Sequence, residues 1–325
     1  MLTVLQPAYG TPAVLQLVDT PRPVPRADEV LIRVHAACLN SWDWDRLTGK
    51  PKAWRPLSGI LSPRQRVPGS DLAGVVEAVG PKVQRLKVGD AVMGDLSVKG
   101  AWGAFAEYAV ASETILARKA PELSFEQAAC LPQAGMLALQ AFRDALNPQP
   151  GRTLLISGAG GGVGTLAIQM AKARGVRVTA CDRREKLEAL LDLGADEALA
   201  WPDPGCYGTG RTWDRILDVN ISLPMDAYLS ALAPGGIHAI VGGTPGSLLR
   251  YLVAGRRRAK KQGKVFKIVA QKTTVADLET LMQLAVSGEA KPVIASSFTL
   301  ADAARAYEQF GQGQFVGKIV IQCRT

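Results

Sequence analysis

The sequence predicts an α/β chain in two parts, one β-rich and one a doubly wound parallel sheet. Three observations predict it. The first third is a series of short apolar runs broken by Gly and Pro. From about residue 150 onward, strand-like and helix-like segments alternate. At the head of that alternation five glycines, Gly158, Gly160, Gly161, Gly162 and Gly164, crowd between an apolar run and a helix-like segment.

The elements follow in order. Strands are expected at Val14–Val18, Glu29–Ala36, Ala73–Val79, Ala91–Met93 and Phe105–Val110, with turns at Val67-Pro68-Gly69 and Val88-Gly89-Asp90 between them. Gly49–Gln65 is Pro-rich and basic and reads as a long loop, a kind that often carries function. Near Leu123 the rhythm changes. Ser124 with Gln127 three residues on makes a capping box, and a helix is expected from there toward Leu146. Then come strand Thr153–Ser157, helix Val163–Arg174, strand Val176–Cys181 and helix Glu185–Leu193. Strand Arg215–Val219 and helix Met225–Ala233 follow. Strands Ile237–Val241 and Val265–Ala270 and helix Ala276–Ser287 complete the alternation. The tail from Lys291 reads strand, helix (Leu300–Phe310), strand (Lys318–Gln322). The expected division is residues 1–121 with 289–325, and residues 122–288.

Composition excludes several classes. In 325 residues, 47% are apolar, enough for two cores and too many for disorder. No apolar run reaches the roughly 18 residues of a membrane span, and the start lacks a signal-peptide pattern. Five cysteines, at 38, 130, 181, 206 and 323, are odd in number and widely spaced. That argues against disulfides and for a reducing, cytoplasmic setting. The net charge of +9 is local. No acid occurs from Ala227 to Ala276, and that stretch carries nine Lys and Arg. With no zinc-finger or RRM signature, a nucleic-acid partner is not expected.

The glycine run explains itself chemically. A diphosphate needs close backbone approach, which a Cβ would block, and the following helix N-terminus offers free N–H groups. In the G-x-G-x-x-G frame the positions are Ala159, Gly161 and Gly164, with Val163 between. The next strand ends at Asp182, where a Rossmann fold places the reader of the adenosine ribose. The site expected is therefore Gly158, Ala159, Gly160, Gly161, Gly162, Val163 and Gly164 with Asp182. A tight turn without ligand does not need five glycines.

Seven segments, LIRVHAACLNSWDWDRLTG, VPGSDLAGVVEAVG, LKVGDAVMG, GAFAEYAVA, AACLPQAGMLALQAF, ISGAGGGVG and GKIVIQ, stand in the order of the medium-chain dehydrogenase/reductase superfamily. Over nearly the whole chain the sequence resembles its zinc-independent quinone oxidoreductases, and within them the branch of the reticulon-interacting mitochondrial oxidoreductase. The resemblance implies a GroES-like catalytic domain and a Rossmann domain. It implies that the zinc-ligand positions carry Asn40, Ser70 and about Pro132, none of them a good zinc ligand. No metal is expected. The two histidines, His35 and His238, fall outside those motifs and read as structural.

The same resemblance implies hydride transfer from a reduced nicotinamide to a quinone, enone or related activated carbonyl compound. Asn40, Trp42, Asp43 and Trp44 line the nicotinamide cleft in such proteins, with Gln133 and Met136 approaching from the Rossmann side. Asn40 would donate to the acceptor carbonyl. The tryptophans are ordinary packing or stack on a flat ring, and Asp43 is an orienting residue or a proton donor. Catalytic candidates are thus Asn40, Asp43, Trp44 and Gln133. Asp218, Asn220, Gly242, Gly243, Thr244 and Phe266 are expected beside the ribose and nicotinamide. The loop LTGKPKAWRP has no tyrosine where enoyl-thioester reductases of the superfamily have one, and Trp54 is no acid. That counts against fatty enoyl reduction.

Asp182 argues for NAD(H), because unit charges about 4 Å apart at an effective dielectric near 20 interact by roughly 4 kcal/mol, so a 2′-phosphate would be repelled. Arg183 and Arg184 argue for NADP(H) through guanidinium–phosphate contacts. The two cofactors stay near-equal alternatives, NADP(H) first. Ser247–Lys264 is half apolar and half basic: a solvated loop, a cover for the acceptor cleft, or a weak membrane-surface contact. A homodimer is expected from the family. The alternative function is a nucleotide-binding redox sensor or scaffold without strong turnover.

Overall fold

The structure is a computed structural model that describes residues 1–97, 102–201, 206–207, 210–219, 221 and 223–324. The chain forms two compact units, Met1–Met136 with Lys272–Thr325, and Leu137–Gln271.

The first unit contains strands β1 (Leu2–Leu5), β2 (Gln16–Asp19), β3 (Glu29–Cys38), β4 (Asp71–Val79), β5 (Ala91–Asp95), β6 (Tyr108–Ser112) and β7 (Leu116–Arg118). The second contains β8 (Thr153–Ser157), β9 (Arg177–Asp182), β10 (Glu197–Ala200), β11 (Trp213–Asp218), β12 (Leu232–Ile240) and β13 (Val265–Ile268). Strands β14 (Ile294–Thr299) and β15 (Lys318–Gln322) return to the first unit. The helices, in chain order, are α1 (Ser41–Thr48), α2 (Arg55–Ser58), α3 (Phe125–Ala129), α4 (Pro132–Gln140), α5 (Gly162–Ala173) and α6 (Leu187–Asp192). They continue as α7 (Met225–Ser230), α8 (Pro245–Arg250), α9 (Arg256–Lys261), α10 (Val275–Ser287) and α11 (Ala303–Gln312).

In the first unit a sheet runs β14-β15-β3-β4-β5-β7, and β6 pairs with the other half of the β3 edge that β15 occupies. β3 is its centre, pairing with β4 along one edge and with β6 and β15 along the other, and Val30, Ile32 and Val34 on one of its faces are fully buried. Phe105, Tyr307 and Ile319 close the core around it. The expected helix beyond Ser124 is three pieces. Ser124 caps α3 as predicted, Pro132 restarts the chain as α4, and Ala141–Leu146 is a π-helical turn ended by left-handed Asn147. α10, which sequence grouping placed with residues 122–288, packs in the first unit, where Leu281 abuts Gly135 and Met282 Sδ accepts Ala120 N–H at 2.8 Å.

The second unit is a six-stranded parallel sheet in the order β10-β9-β8-β11-β12-β13. That order reverses between β8 and β11, and ligands of such sheets bind at the carboxyl ends of the strands at this reversal. Leu155, Ile216, Ile240, Tyr228, Tyr251 and Phe266 form one of its core clusters.

Several details correct the sequence reading. Val14–Val18 is not one strand: Pro12 starts a 3₁₀ turn through Val14, and pairing begins at Gln16. The long loop after Gly49 contains a 3₁₀ turn at Lys52–Trp54 and α2. β1, β7 and β10 are too short to stand out by pattern. Cys181 and Cys206 form a disulfide, against the expectation of none. Sequence spacing hid it because parallel pairing of β9 with β10 brings the end of each strand together.

Candidate functional site

The nucleotide-side geometry begins where β8 ends. Gly158 takes φ +77°, and its N–H and that of Ala159 donate to Cys181 O at 2.9 and 3.1 Å. The loop is thereby pinned to the end of β9. Gly161 caps α5 without a side chain, and no acid lies in the first turn, so the helix N-terminus can receive an anion. A Cβ on Gly164 would lie 2.4 Å from the Ala159 backbone. The third glycine of the frame therefore lets α5 sit against the loop. A Cβ on Gly160 would meet Lys186 Cδ at 2.6 Å and Asp182 Oδ2 at 3.0 Å.

Asp182 is fully engaged within the protein. Its Oδ2 accepts Gly160 N–H at 2.7 Å, its Oδ1 accepts Arg183 N–H at 2.8 Å, and Lys186 Nζ lies 3.4 Å away. Lys186 is buried, while Arg183 and Arg184 are exposed. The acid thus ties the glycine loop to β9 and carries its own cation. Lys186 went unnoticed in the sequence, although its signal was there: a lysine one helical turn after the acid.

Other expected cofactor residues fall differently. Asp218 is buried with Oδ2 3.6 Å from His238 Nε2, and His238 Nδ1 lies 2.7 Å from the Tyr251 hydroxyl. Phe266 is buried and stacks on Tyr251 with ring centroids 4.6 Å apart. A Cβ on Gly242 would meet Val219 O at 2.7 Å, so its role in the backbone is a close approach. Beyond it Gly243 leads to Thr244, which caps α8 through Ser247 N–H at 3.2 Å. Asn220 lies outside the described residues.

In the first unit a buried polar cluster gathers where β3, β4, β15 and the start of α4 meet. Asn40 N–H donates to Asp43 Oδ2 at 2.9 Å, and Asp43 Oδ1 accepts Gly69 N–H at 3.0 Å. Asp43 therefore closes the first turn of α1 and holds the Pro68-Gly69 turn. Gly69 has φ +92° and no room for a Cβ, which would lie 2.5 Å from the Phe105 ring. Burial pushes the Asp43 carboxyl up to about 7 against these N–H donors. Asn40 Nδ2 donates to Ser70 Oγ at 3.2 Å. Lys318 Nζ donates to Leu39 O at 2.9 Å and to Asn40 Oδ1.

Lys318 is buried at the start of β15. Burial alone would lower its pKa, but Cys38, Asp71, Cys130 and Asp43 hold it above the usual lysine value. Asp71 is fully buried. Burial and then Asp95 push its carboxyl well up, while Lys318 and the Asn40 amide pull it down. Its Oδ2 accepts Gln133 N–H at 3.2 Å. Cys38 and Cys130 complete the cluster with sulfurs 3.5 Å apart.

The structure thus brings Asn40, Asp43 and Gln133 together and leaves Trp44 elsewhere. Trp44 packs on Phe310 and Gly311 of α11, and Trp42 is half exposed. Met136 is fully buried, and His35 stacks on Phe125 at 4.2 Å. Lys318, Asp71 and the cysteine pair were missed as a cluster. A charge at the start of an apolar strand, Asp71 in SDLAGVVEAV and Lys318 in GKIVIQ, was the trace of Asp71 and Lys318 in sequence.

The family described as alcohol dehydrogenase GroES-like domain matches residues 26–122, and the one described as zinc-binding dehydrogenase matches residues 193–321. The chloroplast envelope quinone oxidoreductase homolog of Arabidopsis thaliana is 30% identical over 322 residues, 96% of this chain and 95% of the relative. The chain belongs to the medium-chain dehydrogenase/reductase superfamily, among quinone oxidoreductase homologues. This medium-chain reductase is an NAD(P)H-dependent oxidoreductase. It is also 32% identical to the NADPH-dependent alkenal/one oxidoreductase of Arabidopsis thaliana over 327 residues, 96% of this chain and 77% of that one. Among solved structures, the quinone oxidoreductase from Coxiella burnetii superposes with a TM-score of 0.89 at 30% identity, covering 100% and 99% of the two chains.

The description "zinc-binding" does not fit the donor set. Among the described residues no three His, Cys, Asp or Glu side chains are grouped to hold a metal. Asn40 and Ser70 offer an amide and a hydroxyl, and the lysine ammonium of Lys318 already occupies the Asn40 oxygen. The nicotinamide dinucleotide does fit. The glycine loop leaves the space that Cβ atoms would fill, and the uncapped start of α5 supplies N–H donors for a diphosphate. No helix among the described residues is long and apolar enough to cross a membrane.

Proposed function

We propose that this reductase transfers hydride from NADPH to a quinone, an enone or a related activated carbonyl compound, without a metal. The observation that carries the reading is the buried cluster of Asn40, Ser70, Asp71, Gln133 and Lys318, a set of hydrogen-bonding groups in which Asn40 and Ser70 stand at positions the family resemblance assigns to zinc ligands. Bound reduced nicotinamide supplies the hydride. The protein's share is to bind and orient. Gly158–Gly164 and the start of α5 hold the diphosphate. The polar cluster holds the acceptor oxygen, on which negative charge grows as the hydride adds to carbon. Asp43 keeps Asn40 in place through its N–H.

NADP(H) rather than NAD(H) is favoured by Lys186. With both Asp182 oxygens accepting backbone N–H groups and Lys186 beside them, the acid is neutralised. The local balance with Arg183 and Arg184 then suits a 2′-phosphate. The similarity to the NADPH-dependent alkenal/one oxidoreductase of Arabidopsis thaliana supports the same choice. Titration of tryptophan fluorescence with NADPH and NADH tests it. Tighter binding of NADPH is expected, and Lys186→Ala should erase roughly tenfold or more of the difference. Equal or better NADH binding by the wild type would reverse the assignment. The acceptor class is tested by NADPH oxidation with a 1,4-benzoquinone and with 2-cyclohexen-1-one. Tight NADPH binding with no turnover of either would favour a redox sensor, for which the Cys181–Cys206 disulfide beside Asp182 is the supporting feature.

The outward face of Pro245–Lys261 carries exposed Leu249, Leu252 and Val253 followed by exposed Arg256, Arg257, Lys260 and Lys261. It supports weak contact with an anionic membrane surface. Co-flotation with phosphatidylserine vesicles but not phosphatidylcholine vesicles is expected, and no flotation at low salt would end the idea. Among the described residues β13 is an edge strand paired with β12 alone, a surface suited to a homodimer. The cytoplasmic address inferred from cysteine usage loses one of its supports with the disulfide.

A further inference from the structure

The described residues include few buried polar atoms without a hydrogen-bond partner, and two of them belong to residues joined to each other. Gln133 Nε2 and Asp71 Oδ1 are both orphaned, while Gln133 N–H donates to Asp71 Oδ2 at 3.2 Å. Gln133 is only 4% exposed and Asp71 fully buried. A side-chain amide kept out of water without a partner costs stability, and native proteins keep few such groups without a use. Most of the neighbouring groups are spoken for. Asn40 gives its oxygen to Lys318 and its NH₂ to Ser70, and both Asp43 oxygens accept backbone N–H groups. Lys318 and Asn40 each have a partner for their nitrogen, whereas the Gln133 side-chain nitrogen has none among the described residues.

Resting on the proposed hydride transfer, we propose that Gln133 is the specificity-determining donor to the acceptor's carbonyl oxygen, and that Asp71 is the positioning residue that holds it. Asp71 does so through the Gln133 backbone N–H, at the first turn of α4. Lys318 and Asn40 in turn steady Asp71 electrostatically. The chemistry selects the ligand class. An amide N–H donates to a quinone or enone oxygen and strengthens as charge accumulates there. A molecule without an oxygen at that place leaves the donor orphaned and binds poorly. Asn40, expected from sequence to donate to the acceptor, becomes part of the support instead.

The decisive feature is that stability and turnover should move apart. Gln133→Met keeps the shape and removes the donor. Its thermal midpoint should be unchanged or higher, because an orphaned polar group is gone. NADPH binding should be unchanged. kcat/KM for a 1,4-benzoquinone and for 2-cyclohexen-1-one should fall roughly tenfold or more. Gln133→Leu should repeat the loss, and Gln133→Asn should recover part of it. Unchanged kcat/KM in a folded Gln133→Met protein would overturn the proposal. If the wild type turns over neither acceptor, the hydride-transfer reading fails on its own. Calorimetric titration of 2-cyclohexen-1-one into the NADPH-saturated protein then decides this inference. Weaker binding to Gln133→Met supports it, and equal binding, or none to the wild type, overturns it.

Discussion

At the scale of single residues, the most consequential group is Lys318. A buried ammonium persists only where oxygens and negative charge surround it, and Lys318 has Leu39 O, Asn40 Oδ1 and the Asp71 carboxyl. Removing one member of such a set leaves the others uncompensated. Lys318→Met is expected to cost about 3 to 5 kcal/mol in urea unfolding. Adding Asp71→Asn should recover part of that, because the stranded carboxylate goes too. A loss below 1 kcal/mol, or no recovery, would show that the pair is not coupled. Much at this scale was readable in advance. Asp182 stands at the end of β9 as the Rossmann frame requires, and Ser124 and Gln127 form the capping box. Trp44 was not readable: an aromatic next to Asp43 looks the same whether it faces ligand or, as here, Phe310.

At the scale of elements, β8 and β11 are held by more than their ladder. Asp214 at the head of β11 accepts Thr153 N–H at 3.0 Å and Thr153 Oγ1–H at 2.9 Å. The Thr153 N–H holds its carboxyl below the ordinary value. Burial opposes this, and the Thr153 hydroxyl, Arg152 and Arg215 assist. The sign follows. A depressed folded-state pKa contributes stability above the unfolded value and loses it as pH falls through the folded one. Asp214→Ala should therefore cost about 1 to 2 kcal/mol at pH 7. It should also flatten the loss of stability below about pH 4. Equal acid limbs in the two proteins would remove the assignment. Element types were legible wherever the period was long, as in α5 and α10. Boundaries failed where local chemistry intervened, at Pro12, at Pro132 and at the π-helical turn before Asn147.

At the scale of the whole molecule, the expected assembly is a homodimer formed at the β13 edge, where Val265 is exposed and the strand's second side has no neighbouring strand among the described residues. Sedimentation equilibrium should give twice the 34.5 kDa chain mass, and a monomer at micromolar concentration would exclude it. The sequence by itself determined the fold class, the order of the two units, the glycine cradle and its acid. These rest on local pattern: strand and helix periods, and the steric demand of a diphosphate on residues without Cβ. Only the tertiary structure decided which side chains share a site. Asp71, Gln133 and Lys318 are far apart in the chain and meet because β4, α4 and β15 converge. The Cys181–Cys206 bond depends likewise on β9 lying beside β10. Burial and charge pairing are properties of that convergence, and a linear pattern does not encode them.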